Sequence, residues 1–485
     1  MTETRQTVLS PAPRHYHLIG IAGTAMASLA GLLRAAGHTV TGSDENVYPP
    51  MSDQLREMGI QYAVGYRPEN LEPRPDWVVV GNAISRGNPE LEAVLERRLP
   101  YTSAAVTIKE EFLRTRKSLA VAGTHGKTTT TSLLAWALES AGLNPGFLIG
   151  GVAENFGSSY RLTDSEWFVI ESDEYDTAYF DKGPKMWHYL PYVGLVNNIE
   201  FDHADIYRDE EAYRFAFSRF INLVPGNGAL VAGWESPIMR ELAPKAFAPV
   251  ESFAYGGEAP RDGAHPVWTA EDVEFGAEGT RFTVLRAGER WGQVDTPLTG
   301  AFNVRNCLAV VAVAEFIGAD RDGVRQGLRT FRSVKRRMEV RGEARGVTVI
   351  DDFAHHPTAV RETIDAVRQR YGGRPLVAVF EPRSYTAQRR EFQDAYRRAF
   401  GSADQVVLAG LFHPERYTEQ TALNPRELVA AWKGEGKEAW YIPDPDDIVA
   451  HLAPRLHHGE VVLVMSNGGF GGIHDKLLKA LADGG

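Results

Sequence analysis

The feature that most constrains this chain is a short apolar run, Ser118 to Ala122, closed by Gly123-Thr124-His125-Gly126-Lys127-Thr128 and followed at once by a helical pattern from Lys127 to about Ser140. Strand, glycine turn and helix start in that order predict an anion cradle. Gly123 and Gly126 let backbone N–H groups approach phosphate oxygens, and the helix start adds its positive end. Lys127 supplies a point charge to β/γ-phosphates, the Thr128 hydroxyl is a Mg²⁺ ligand type, and Thr129 adds another hydroxyl. One departure stands out: Val121, not glycine, lies where the standard phosphate loop has its first glycine.

Around this loop, apolar runs alternate with helical patterns, which predicts an α/β fold of layered parallel sheets. His15 to Ile21, His38 to Ser43 and Trp77 to Val80 read as strands, with a helix from about Ala25 to Ala36. Phe168 to Glu171 and Val193 to Val196 extend the series beyond the phosphate loop. From Val250 to Pro297 glycines and short alternating pieces predict antiparallel hairpins, and Asn303 to Ile317 returns to helix. Further strands are expected at Val347–Asp351, Leu376–Phe380, Gln405–Leu408 and Val461–Met465. At about 150 residues per domain, 485 residues predict three domains. Basic stretches mark the divisions, which we draw at 1–116, 117–332 and 333–485.

Charge excludes some partners. Lys and Arg total 52 against 63 Asp and Glu, a net charge of −11. Such a field repels polyanions, so nucleic acid and anionic membrane are not expected partners. Cys307 is the only cysteine, which rules out an intrachain disulfide and fits a reducing compartment. Residues 1–14 lack a signal-peptide core, and no apolar run reaches spanning length. A cytoplasmic location is therefore expected.

Two acidic segments follow strands: Glu171-Ser172-Asp173-Glu174-Tyr175-Asp176, and Asn197-Asn198-Ile199-Glu200-Phe201-Asp202-His203-Ala204-Asp205. Ligands of open α/β sheets sit at strand carboxyl ends. By residue type alone each run also fits a solvated loop, and a lone histidine a structural partner. Beside a phosphate loop, Glu174 and His203 are the candidate metal ligands with Thr128, although imidazole is an unusual donor to Mg²⁺.

Taken together and in order, these segments resemble the Mur ligase family. The further markers are Gly300-Ala301-Phe302-Asn303-Val304-Arg305-Asn306, Arg336-Arg337-Met338-Glu339 and Asp351-Asp352-Phe353-Ala354-His355-His356-Pro357. The resemblance covers nearly the whole chain. It implies a Rossmann-like first domain for a UDP-sugar, a central ATPase domain with a β-rich insert, and a Rossmann-like third domain that brings an amine. It implies ATP and Mg²⁺ as cofactors. The γ-phosphate would pass to the carboxylate of UDP-N-acetylmuramate, and an amine would attack the acyl phosphate. By the same resemblance, Asn303 would read adenine with Asn306 nearby, Arg337 would reach the phosphates from the third domain, and Asp352 would hold ribose or the metal shell. The catalytic candidates are thus Lys127, Glu174, His203, Arg337 and Asp352. On residue types alone, Asn303 and Asn306 also read as helix caps and Arg336-Arg337 as a solvated linker. Phe302 stands where many family members have histidine, and no lysine lies between Glu200 and Pro244, so a carbamylated lysine of the kind several relatives carry has no counterpart there.

In the first domain, Gly20-Ile21-Ala22-Gly23-Thr24-Ala25-Met26 lacks the dinucleotide glycine pattern, because Ala22 and Ala25 occupy two of its places. Gly20, Gly23, Thr24, Ser43, Asp44 and Asn82 are the candidates for the UDP-sugar, and ordinary turn chemistry also accounts for them. Tyr48-Pro49-Pro50-Met51-Ser52, Asp173 to Asp181, and Phe380-Glu381-Pro382-Arg383-Ser384 resemble the branch that joins UDP-N-acetylmuramate to the murein tripeptide L-alanyl-γ-D-glutamyl-meso-diaminopimelate. The alternatives are the branch that adds L-alanine to the same nucleotide and, from another class, a nucleotide-switched binding protein that hydrolyses ATP without ligation. A peptide with several carboxylates needs cationic and N–H partners. His355, Arg383, Ser466 and Asn467 are the candidates; Arg383 reads equally as a surface ion pair.

Overall fold

The computed structural model describes residues 12–47, 51–202, 206–255, 265–418 and 420–483. His203 and Tyr48 to Pro50 lie outside the described residues, as does Met51 beyond its backbone. Three large sheets follow one another along the chain. The first has five parallel strands in the order Gln61–Val64, Thr39–Asp44, His15–Ile19, Trp77–Val80, Tyr101–Ser103. Strand order reverses at His15–Ile19, and such a reversal opens a crevice at the carboxyl ends. The sequence reading ran this strand to Ile21. It stops at Ile19 because Gly20 takes φ +84° and turns the chain into the helix Thr24–Ala35.

The second sheet has ten strands. Its parallel part runs Val250–Phe253, Ala229–Gly233, Pro191–Val196, Lys117–Ala122, Trp167–Glu171, Gly146–Ala153. These strands are covered on both faces, so they read as apolar runs without alternation. Ser158–Arg161 pairs antiparallel at one edge, and the meander Trp268–Gly276, Gly279–Arg286, Glu289–Thr296 closes the other. The expected hairpins from Val250 are thus corrected at their start: Val250–Phe253 pairs parallel with both its neighbours, and antiparallel pairing begins between Trp268–Gly276 and Gly279–Arg286. The helix Lys127–Ser140 packs on the helix Ala301–Phe316, which is buried along most of its length. Burial there pushes the Cys307 thiol up to about 12, so it acts as core packing.

The third sheet has five parallel strands, Val347–Asp352, Val461–Met465, Leu376–Phe380, Gln405–Leu408 and Glu438–Tyr441. Glu339–Ala344 adds an antiparallel edge that the sequence reading missed. An edge strand needs charge on its open side, and Glu339, Arg341 and Glu343 gave it the look of surface loop.

Two seams hold the units together. Ser159 and Tyr160 on the edge strand of the second sheet rest on the first helix, where the Ser28 and Ser159 hydroxyls lie 2.8 Å apart. Tyr160 fits because position 31 is glycine; a Cβ there would lie 2.1 Å from its ring. The other seam includes a bridge between Ala153 and Val334, just before the third sheet, and the Thr386 hydroxyl donating to Asp202 at 2.5 Å.

Candidate functional site

The strand Lys117–Ala122 delivers the phosphate loop, and the segment after its sheet neighbour Pro191–Val196 pins it. Gly123 has φ +127° and Gly126, which caps the helix, φ +82°. Both conformations favour glycine. A Cβ on Gly126 would come within 2.8 Å of Asn197 Nδ2 and 3.0 Å of Asn306 Oδ1. Asn198 Oδ1 accepts from the His125 N–H at 2.8 Å, and the Thr124 hydroxyl is 2.9 Å from both the N–H and the carbonyl oxygen of Glu200. Asn197 Nδ2 donates to the Thr130 hydroxyl at 3.0 Å. Asn197 and Asn198 were read only as part of an acidic segment. Their signal was the pair of amides directly after a buried strand.

Lys127 folds back over this loop. Its ammonium donates to the Gly123 carbonyl at 2.7 Å and to both oxygens of Glu174 at 2.8 and 3.0 Å. Burial works against its charge, but Glu174, Asp173 and Glu171 outweigh it and hold its pKa above the ordinary value. The Thr128 hydroxyl donates to Glu171 Oε1 at 2.8 Å, while the Gly150 N–H donates to Glu171 Oε2 at 2.7 Å. Burial raises the Glu171 carboxyl above its usual range, despite those partners. Glu171 was missed as a site residue because it ends a strand and reads as its last position. Thr128, Glu171 and Glu174 form an all-oxygen donor set, the kind a hard dication takes. Thr129 is buried in the first turn of the helix.

Arg337 reaches this cluster from beyond the second seam. Its guanidinium donates to the Thr128 hydroxyl at 3.3 Å and lies over the Phe353 ring at 5.1 Å. Asp352 sets that reach from below. Its carboxylate accepts from the N–H groups of Met338 at 2.8 Å and Ala354 at 2.7 Å, so it shapes the turn that carries Arg337. Burial raises its pKa, with the Arg337 charge opposing. Arg336 is no solvated linker: it donates to the carbonyls of Ser466 and Gly468, both at 2.7 Å. Nor do Asn303 and Asn306 cap their helix, which starts at Gly300 without a side-chain cap. Asn303 donates to the Thr299 carbonyl at 2.8 Å and accepts from Asn306 Nδ2 at 3.0 Å, aligning Asn306 against Gly126.

In the third unit, Arg383 stacks 3.6 Å from the Phe412 ring centre, and its guanidinium lies 3.7 Å from Glu381. Ser466 donates to Glu381 at 2.5 Å, and Asn467 Oδ1 is buried without a hydrogen-bond partner. His355 Nδ1 is 3.1 Å from the Phe353 carbonyl. Glu381, Arg383 and the Ser466 loop meet at one place, with Glu381 buried between Arg383 and Ser466.

At the crevice of the first sheet, the N–H groups of Gly20 and Ile21 donate to the Ser43 carbonyl at 2.8 and 3.1 Å, and Asp44 accepts from Ala22 N–H at 2.9 Å. Gly23 and Thr24 are exposed at the helix start, and Asn82 at the turn after Trp77–Val80. The Ser43 hydroxyl turns away from the crevice. Ser43 is fully buried and donates to Glu90 Oε1 at 2.9 Å. Glu90, itself fully buried, also accepts from Asn70 at 2.8 Å and the Arg67 N–H at 3.2 Å, with His17 Nε2 2.6 Å away. Only the Ser43 backbone faces the crevice turn.

Three ionisable side chains meet where the second and third units touch: His125, Glu200 and His356. Burial, then the charge of His125, lowers the His356 imidazole to about 3. Burial would raise the Glu200 carboxyl, but its His125 hydrogen bond and the charges of both histidines hold it at about 2.

Comparison with known proteins decides the family. Residues 15–113 match the Mur ligase family catalytic domain, 121–314 the Mur ligase middle domain, and 336–468 the Mur ligase glutamate ligase domain. The chain belongs to the Mur ligase family. It is therefore an ATP-dependent ligase that forms an amide bond. Among its relatives is the UDP-N-acetylmuramate–L-alanyl-γ-D-glutamyl-meso-2,6-diaminoheptandioate ligase of Escherichia coli (strain K12), 43% identical over 473 residues, 96% of this chain and 98% of that protein. The UDP-N-acetylmuramate–L-alanine ligase of Oleidesulfovibrio alaskensis is 34% identical over 453 residues, 93% and 95% of the two chains. A solved murein peptide ligase from Psychrobacter arcticus superposes with a TM-score of 0.71 at 36% identity, covering 97% of this Mur ligase and 99% of that chain.

Proposed function

We propose that this Mur ligase joins UDP-N-acetylmuramate to L-alanyl-γ-D-glutamyl-meso-diaminopimelate at the expense of ATP, with Mg²⁺, in the cytoplasm. The observation that carries the acceptor is the 43% identity, over almost the whole of both chains, to a relative named for that peptide. We assign residues 1–116 to the sugar nucleotide, 117–332 to ATP and 333–485 to the peptide. The buried, unpaired cysteine supports a reducing location, and among the described residues no helix is long and apolar enough to cross a membrane.

A carboxylate lacks a leaving group, so the acid is first phosphorylated. A lactyl oxygen bonds to the γ-phosphorus as the bond to ADP breaks. The peptide nitrogen then bonds to the acyl carbon, phosphate leaves, and the amine loses a proton. Mg²⁺, when bound at Thr128 and Glu174, supplies charge neutralisation to phosphate oxygens. Lys127 and Arg337 bring cations to the transferred phosphoryl group from two different units. His203 is retained as a further ligand on the family resemblance alone. Gly123, Thr124, His125, Gly126 and Thr129 line the cradle, with Asn306 braced by Asn303. Arg383 and the Ser466–Asn467 loop present cationic and amide groups to peptide carboxylates, with His355 beside them. A site assembled from two units closes off water, which protects the acyl phosphate.

The test is phosphate release with ATP, Mg²⁺ and UDP-N-acetylmuramate, given either tripeptide or L-alanine. Release that requires the tripeptide supports the proposal. Release that requires L-alanine moves the protein to the other branch, and release indifferent to any amine removes the ligation step.

A further inference from the structure

The reaction above uses His125 only as part of the phosphate cradle and makes no use of Glu200 or His356, which meet it at the junction of the second and third units. His125 sits inside the phosphate loop, Glu200 follows the strand Pro191–Val196, and His356 begins the helix Pro357–Tyr371. The two imidazole rings lie 4.6 Å apart and tilted by 38°. His125 Nε2 is 3.3 Å from Glu200 Oε2, and His356 Nδ1 is 3.6 Å from the same oxygen. One ligand atom from each residue falls within 4.8 Å of the others.

That spacing is informative. Nitrogen and oxygen ligands about 2.0–2.1 Å from a tetrahedral Zn²⁺ stand about 3.3–3.4 Å from one another. Two of the three separations are already close to this value. The donor set differs in kind from the oxygens at Thr128, Glu171 and Glu174. Two imidazoles and a carboxylate suit a borderline transition ion, whereas Mg²⁺ prefers oxygen alone. A three-ligand site also leaves a position for water or a substrate group. His356 Nδ1 at present accepts from the Thr358 N–H as the helix cap, a long contact of 3.4 Å that an ion at this nitrogen would have to displace.

We propose that His125, Glu200 and His356 bind one Zn²⁺ or similar transition ion, and that this ion bridges the phosphate loop to the third unit. Its three donors are not among those assigned to Mg²⁺ above, and the site does not depend on the acceptor being a peptide. Because two ligands come from one unit and one from the other, occupancy ties the units together.

The full chain, without nucleotide or peptide, would be titrated with Zn²⁺ against a chromophoric chelator, and with Co²⁺ to read coordination from its visible absorption. The expected result is one ion per chain, bound at least about tenfold more weakly when a ligand is lost, both in Glu200→Gln and in His356→Asn. Asparagine still caps the helix, so the second variant removes the imidazole and keeps the helix start. Equal affinity in the wild type and both variants, or no binding by the wild type, overturns the site. Loss in Glu200→Gln alone overturns the bridge. Each readout is a binding measurement, so it stands or falls apart from the ligase assay.

Discussion

The ammonium of Lys127 lies 2.8 Å from Glu174 Oε2, and Glu174 has no solvent exposure. The cation that would meet phosphate is therefore held by a buried carboxylate of the same loop system, which helps keep the ammonium charged against burial. Breaking one side of such a pair strands the other charge. Lys127→Ala is expected to abolish acyl-phosphate formation and to lower stability by about 3 kcal/mol. Glu174→Gln should show a similar loss of stability. Single-turnover phosphate release and urea unfolding read the two effects, and ligation by Lys127→Ala at near wild-type rate would refute the role.

Arg337 donates to the Thr128 hydroxyl across the seam between units. Arg337→Ala is expected to reduce kcat by about 100-fold or more, the scale of a lost transition-state cation, and KM for ATP by much less. Arg337→Lys should recover little, because lysine cannot both stack on Phe353 and reach Thr128 with a planar fork. A change confined to KM would instead make Arg337 a ground-state binder.

Gly126→Ala meets two barriers. Its φ of +82° disfavours a side chain, a penalty of about 1–2 kcal/mol, and the new Cβ would press on Asn197 and Asn306. ATP binding should fall below detection by calorimetry while the melting temperature drops only modestly, because the fault is local to the loop.

Glu90 accepts from Ser43, Asn70 and the Arg67 N–H beside His17 in a pocket without solvent. Glu90→Ala leaves those groups unmatched and should destabilise the chain by about 3–5 kcal/mol. Equilibrium urea unfolding measures it; a loss under about 1 kcal/mol would mean that water replaces the carboxylate.

His356 titrates at about 3 when folded, against an ordinary value of 6.5. A base whose folded pKa is lowered binds a proton more readily when unfolded, so stability falls as pH drops from 6.5 toward 3. The slope contributed by this one group is at most about 1.4 kcal/mol per pH unit. Glu200, held at about 2, adds a further loss below the ordinary carboxylate range, as pH falls toward 2. Unfolding free energies measured from pH 7 to 4 should decline in the wild type and decline less in His356→Asn.

Many of the central strands were legible because buried parallel strands are uniformly apolar, as in Val461–Met465, although Gly146–Ala153 and Ala229–Gly233, equally apolar, were not. The phosphate loop was legible because glycine, lysine and threonine have to be neighbours in the chain to act on one phosphate. Glu339–Ala344 was hidden by its charges, and the true end of the first strand by the turn at Gly20.

The amino-acid order alone therefore determined the α/β class, the nucleotide loop and the family, since each depends on contacts within a few residues or on motifs in series. Tertiary structure decided which partners those motifs meet. The hold of Glu174 on Lys127, the reach of Arg337 to Thr128, the withdrawal of Ser43 to Glu90 and the meeting of His125 with His356 join residues 47 to 231 positions apart. No local periodicity records such distances; they arise only when strands assemble into sheets and the units pack, which brings distant loops together.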